Sequence, residues 1–290
     1  MKKAFLLPVI FSFIQSFGQT GSEIYLFDIK VKNGQVILSG GVNITNHKGY
    51  DNQPFFHPSK PIIYYSSFND SGRSDIKYYD YKTKTTTNLT LTNEREYSPT
   101  VTPGGKFISC IIQRDNGAQD LGKYPINGGE PEVLINNLTV GYHAWASKDK
   151  LVLFVLGDSN RHTLRYYDLL AKKDTIIATN IGRSLHKIPG QQAMSFVQKI
   201  SDTVSVIKRL DLASLAVSSL VETVKGSDHL VWLKNNTILM SSGNQVFYYQ
   251  LNREAPWQQV VVEGDISMPK GVTRLAVNVD NNKLAVVVSE

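Results

Sequence analysis

Four of the six histidines in this 290-residue chain stand just ahead of a run of apolar residues. His57, His143, His186 and His229 precede runs that begin at positions 62, 151, 193 and 238, at offsets of 5, 8, 7 and 9 residues. Neutral imidazoles brought to one point would bind a transition metal or act as an acid–base centre. Unequal offsets would place them at different heights on equivalent strands, and alternation would turn some away, so the alternative is four separate polar or packing residues. Trp145 and Trp232 occupy matching places, six residues before 151 and 238. They could stack on a carbohydrate or wedge between sheets. Asp51, Glu94, Glu96 and Asp228 lie in the same segments. A pair of them ~5–9 Å apart could perform acid–base work on a sugar; otherwise they are turn and surface residues. No nucleophile elbow, P-loop, His-Glu-x-x-His or EF-hand loop occurs. The single cysteine, Cys110, excludes an internal disulfide and a cysteine-based zinc cluster, and within the run Phe107 to Ile112 it reads as a buried small hydrophobe.

The elements that carry these residues repeat. A tyrosine-rich pattern occurs at Ile24 to Ile29, Ile76 to Tyr81, Leu121 to Ile126, Leu164 to Leu169, Ile207 to Leu212 and Val246 to Leu251. Each reads as a short strand, ended by Asp28, Asp80, Asp168 or Asp211 in four cases, a residue suited to a turn. A second pattern sets a turn before an apolar strand, with first apolar positions at 62, 107, 151, 193, 238 and 284. The steps between them are 45, 44, 42, 45 and 46 residues. A period near 44 with four short strands in each repeat predicts a β-propeller, and alternation at period two in place of 3.6 excludes a helical solenoid. The chain opens with a third and a fourth strand (Glu23 to Ile29, then Gln35 to Ile44 after Asn33-Gly34) and ends with a first and a second (Thr273 to Ser289). Pairing these halves predicts a sixth blade that closes the ring. The fold class is therefore all-β, a six-bladed β-propeller, with residues 20–290 as one domain. A composition of 41% hydrophobic and 19% charged residues supports one large core and excludes a disordered chain.

Blade one carries a more specific likeness. Gln53-Pro-Phe-Phe-His-Pro-Ser-Lys60, Ile62 to Ser67, Asp75 to Asp80 and Asn88-Leu-Thr90 together resemble a TolB-type, WD40-like propeller repeat. Ser98 to Lys106 and Asn127-Gly-Gly129 repeat it in blade two, and later blades keep Trp145, Pro189-Gly190 and the apolar pattern. The resemblance implies a ring whose first strands line a central channel. It also implies a likeness to exported periplasmic scaffolds that bind other proteins. Oligogalacturonate lyases are similar in using histidine ligands in a propeller channel, which frames the rival reading.

Residues 1–19 have the form of a signal peptide: Lys2 and Lys3, the apolar run Ala4 to Ile14, then Ser16 and Gly18 at cleavage spacing. The run is too short to span a bilayer, which takes ~20 residues. Without Lys2 and Lys3 the formal charge falls from +6 to +4 (6 − 2), spread along the chain with no basic run, so nucleic acid is not an expected partner. The sequence thus predicts a periplasmic or secreted monomer that binds an envelope protein or extracellular ligand, with no cofactor, no covalent chemistry and no membrane insertion once the signal is removed. The candidate binding residues at the channel mouth are His57, His143, His186, His229, Trp145 and Trp232. The alternative is a carbohydrate lyase or hydrolase with a metal or carboxylate pair in the channel.

Overall fold

A computed structural model describes residues 21–158, 161–251, 253, 255–264 and 267–290, and every named element in it is a β-strand. The export segment predicted at 1–19 lies outside the described residues. The chain begins with the hairpin β1 (Ser22–Lys32) and β2 (Gln35–Asn43). Blade one follows as β3 (Asp51–Phe56), β4 (Ile62–Phe68), β5 (Ser74–Asp80) and β6 (Thr85–Asn88). Blade two holds β7 (Arg95–Val101), β8 (Phe107–Gln113), β9 (Gln119–Pro125) and β10 (Glu132–Ile135), and blade three β11 (Val140–Trp145), β12 (Lys150–Val155), β13 (Thr163–Asp168) and β14 (Lys173–Thr179). Blade four holds β15 (Ile181–Lys187), β16 (Ala193–Lys199), β17 (Ser205–Asp211) and β18 (Val217–Glu222). Blade five holds β19 (Leu230–Leu233), β20 (Thr237–Ser242), β21 (Gln245–Gln250) and β22 (Gln258–Gln259). The last strands are β23 (Val261–Val262), β24 (Val272–Val277) and β25 (Lys283–Ser289).

The sixth sheet has the order β23-β2-β1-β25-β24. Both ends of the chain enter it, and β1 pairs antiparallel with β25 from Ser22↔Ser289 to Asp28↔Lys283. The ring is therefore closed by the two half-blades. Two details depart from the repeat. β23 adds a fifth, parallel strand beside β2 (Ile37↔Val261), covering an outer edge that would otherwise be open. Asp28 does not end its strand. Its carboxylate meets Lys283, and β1 runs on to a turn at Asn33 and Gly34, with φ of +53° and +80°. Asp80, Asp168 and Asp211 do make turns, each accepting two backbone N–H bonds from the residues that follow.

The core is not one mass but six clusters, each drawn from two neighbouring blades. Phe27, Leu284 and Val286 meet Val231, Leu239 and Tyr248 between blades six and five, while Ile24, Ala285 and Val287 meet Phe56, Ile63 and Tyr65 between blades six and one. The other four clusters fill the remaining gaps in turn. The second strand of each blade explains why its sequence is apolar without alternation. In β25, Leu284, Val286 and Val288 face one gap and Ala285 and Val287 the other. Both faces of the strand are covered. Phe27 is fully buried, and Gly41 makes room for it: a Cβ there would sit 2.3 Å from the ring.

Polar clasps join some of these gaps. Ser109 on β8 lies 2.7 Å from His143 Nε2 and accepts from Trp145 Nε1 at 2.9 Å, both on the next blade's first strand. Its hydroxyl donates to the Thr100 carbonyl at 3.1 Å. If His143 carries its proton on Nε2, the oxygen accepts two bonds and donates one, and the bare Nδ1, which has no partner, is only an unused acceptor. Protonating Nδ1 would bury an unpaired cationic N–H, and burial lowers this imidazole to about 3. The same clasp recurs at Ser195, which accepts from Trp232 Nε1 at 2.8 Å and donates to the His186 carbonyl at 3.4 Å.

Three outcomes follow. Phe27→Ala should destabilise the protein by about 3–5 kcal/mol in denaturant titration, because it empties the gap beside the closing strands; a loss under about 1 kcal/mol would mean that this gap is not well packed. Ser109→Ala, which strands the Trp145 and His143 donors together, should cost about 1–3 kcal/mol and more than Ser195→Ala, which strands one. His143 binds a proton more weakly folded than unfolded, so its contribution is whole above pH 6.5 and declines as pH falls toward 3. Over that window His143→Gln should make the loss of stability with acid shallower by up to about 1.4 kcal/mol per pH unit.

Candidate binding channel

The first strand of each blade faces the axis, and five of the six are irregular. Register breaks fall at Asn52/Phe55 in β3, Tyr97/Thr100 in β7, Val140/Tyr142 in β11, Ile181/Leu185 in β15 and Val272/Arg274 in β24. Such bulges bend a strand and re-aim its side chains. Gln53 and Ser98, one repeat apart, both take positive φ (+58° and +56°) at these bulges. That backbone costs on the order of 1 kcal/mol for an L-residue. It is held by a bridge between blades: Gln53 Oε1 accepts from Ser98 N at 2.6 Å and from Ser66 Oγ at 3.0 Å.

A cavity on the axis is lined by first-strand residues of all six blades, and a second adjoins it beside blades one to four. The first, of about 470 Å³, is walled largely by apolar residues such as Pro54, Leu185, Val231 and Val277 and opens near Lys187 and Val279. The second, of about 720 Å³, opens on the opposite face near Gly72, Arg95 and Gln119. Gln53, Tyr142 and Arg183 line both, so the cavities meet at a waist formed by these side chains. Volumes of this order suit small ligands or short peptide segments. Among the described residues neither cavity is lined by Asp or Glu.

The waist is electropositive. Arg274 lies with Cζ 5.2 Å from the centre of the Tyr142 ring and Nη2 3.4 Å from its hydroxyl. Burial alone would raise the Tyr142 phenol, but Arg274 and Arg183 outweigh burial and hold it below its ordinary range. His186 is lowered to about 4 by burial and then by Arg274. His229 is driven well down by burial, then by Arg274, Arg183 and His186. Both imidazoles are therefore neutral at pH 7.

The candidate residues separate on this geometry. His143, His186, His229, Trp145 and Trp232 line the smaller cavity. His143 and both tryptophans are also bound into the clasps between blades. His57 is outside that lining; it is buried at the end of β3, and its Nδ1 accepts from the backbone N–H of Ser59 and Lys60. The four histidines do not converge, and among the described residues no three His, Cys, Asp or Glu side chains gather as a metal site. The carboxylates are dispersed. Glu96 is buried inside blade two, accepting from Thr92 and Tyr124 at 2.6 and 2.9 Å, and Glu94 pairs with Arg114. Asp51 meets His47, and Asp228 packs over Gly182, where a Cβ would lie 2.2 Å from its oxygen. The metal or carboxylate pair that a lyase or hydrolase would need is thus not assembled among the described residues. Cys110 is fully buried in the cluster between blades one and two.

Arg183, Arg274, Tyr142 and Gln53 escaped the sequence reading, which treated the basic residues as surface. A positional signal does exist. Arg183 and Arg274 each lie 10 residues before an apolar position (193 − 183 and 284 − 274), and Gln53, Ser98, Tyr142 and His229 lie 9 before theirs (62, 107, 151 and 238). Position in the repeat, not residue type, marks the waist.

No protein-family model and no curated protein sequence matches the chain. Solved structures do. A structure described as TolB from Agrobacterium tumefaciens superposes with a TM-score of 0.68 at 12% identity, covering 94% of this chain and 99% of that one. A nidogen/laminin complex gives 0.63 at 8% identity, covering 92% and 98%. The crystal structure of TolB from Acinetobacter baumannii gives 0.57 at 12% identity, covering 93% of this chain and 64% of that one. At these identities the likeness is one of architecture: the chain is a six-bladed β-propeller whose fold is similar to that of the TolB structures.

Proposed function

We propose that the protein is an exported scaffold of the cell envelope that binds a protein or other ligand at the mouth of its channel. The observation that carries this reading is the axial cavity and its neighbour, which share Gln53, Tyr142 and Arg183 at a waist built by inner strands whose bulges turn polar side chains inward. Bulges of this kind are features of sites more than of plain packing. The resemblance to TolB structures supports an envelope setting, and the likeness to a chain of a nidogen/laminin complex supports a protein partner. Recognition would need no bond-making: apolar walls supply contact area and the waist supplies orientation.

A photo-crosslinking side chain tests the location. Introduced at Lys187 or Val279, beside the smaller cavity, it should give a discrete crosslinked species in the native cell envelope. Introduced at Thr87, on the exposed outer strand β6, it should give none. Crosslinking from Thr87 alone would move recognition to the blade edges and overturn the reading.

A further inference from the structure

The charge at the waist lacks an internal counter-charge. Arg183 makes no hydrogen bond or ion pair among the described residues, and Arg274 reaches only Tyr142. Five of the other seven arginines are ion-paired among the described residues: Arg73 and Arg95 share Asp115, Arg114 holds Glu94 and Asp120, Arg165 holds Asp174 and Arg209 holds Asp211. Asp228 packs over Gly182, the residue before Arg183, without forming an ion pair to it. Arg274 is half-buried and Arg183 exposed, and both act on the Tyr142 phenol, so two like charges gather at the waist and an anion there would relieve their repulsion. His186 and His229, held neutral there, add hydrogen-bonding capacity without more charge.

We infer that the waist binds the carboxylate of a ligand whose adjoining apolar group fills the 470 Å³ cavity. This rests on the reading that the channel is the binding site. A guanidinium fork fits a planar carboxylate, and Tyr142 offers a hydroxyl beside it. The walls favour carbon over a second charged group. They are largely apolar, with Pro54, Leu185, Val231 and Val277 among them. The carboxylate could belong to a free small molecule or to the end of a peptide chain, and the two sources are separable by experiment.

Acetate tests the head group whatever the body of the ligand is. At equal ionic strength, sodium acetate should raise the melting temperature of the purified wild-type protein above its value in sodium chloride, by mass action. It should not do so for the double variant Arg183→Gln/Arg274→Gln, which itself should melt no lower than wild type in chloride. Calorimetry then separates the sources, using hippurate and the tripeptide acetyl-Ala-Leu-Phe with either a free or an amidated end. Binding of hippurate alone identifies a free small acid, and tighter binding of the tripeptide acid identifies a chain terminus. In either case amidation or a single Arg→Gln change should weaken binding by roughly tenfold to a hundredfold. Equal acetate stabilisation of wild type and double variant, equal binding of acid and amide, or preferential binding of inorganic phosphate would overturn the inference. If crosslinking at Lys187 and Val279 persists alongside such a result, only the carboxylate assignment falls; if both fail, the channel reading falls with it.

Discussion

A second strand that is apolar on both faces can be satisfied only by a blade on each side of it. That single demand accounts for most of the structure. An open row of such blades would leave two bare apolar faces, one at each end. Bending the row into a ring removes both, and the six clusters, one per gap, are the result. The gap between blades six and one differs only in how its blade is supplied. Ile24 and Leu26 come from the start of the chain and Ala285 and Val287 from the end, side by side through the β1–β25 ladder. Burying one such side chain is worth about 1.5–3 kcal/mol, more than a typical intramolecular hydrogen bond, so the clasps at Ser109 and Ser195 refine the fit of blades that apolar contact already holds.

The channel is the other side of the same demand. The gaps between blades take up the apolar side chains, and what reaches the axis is set by the first strands, where the ladder is broken five times out of six. The breaks let the ring present Gln53, Tyr142, Arg183 and Arg274 to the waist without removing apolar residues from the gaps beside them. Structural and exposed roles are thus divided within short segments. Trp145 and His143 serve the joint between blades two and three, while Tyr142, next in the chain, faces the waist.

Architecture was readable because it repeats. The apolar second strands and the tyrosine-rich third strands each recur six times, and the half-blades at the two ends could be matched by strand order alone. The site was readable only in part. His143, His186, His229 and both tryptophans were placed in channel-facing segments, and the structure sets them there. Their separate roles depend on bulges, which add residues to one strand without any mark in residue type. His57 shows the limit: it shares the segment but caps a local turn. Arg183 and Arg274 were hidden for the opposite reason. A lone arginine reads as surface, and only the closed ring brings two of them, from blades four and six, around one tyrosine.

The seam also fixes an order of events in time. Ser22 pairs with Ser289, a separation of 267 residues (289 − 22), so the amino-terminal hairpin has no sheet to join until nearly the whole chain has been made. Blades one to five are local and can assemble as each is completed, whereas the last joint must close a very long loop and is the slowest kind of contact to form. Until then β1 presents an unpaired edge and Phe27 an uncovered face, and a second copy of the chain could supply the missing strands instead. The feature that gives the finished disc no free end thus leaves the newborn polypeptide with its longest wait and its greatest exposure to exchange between molecules.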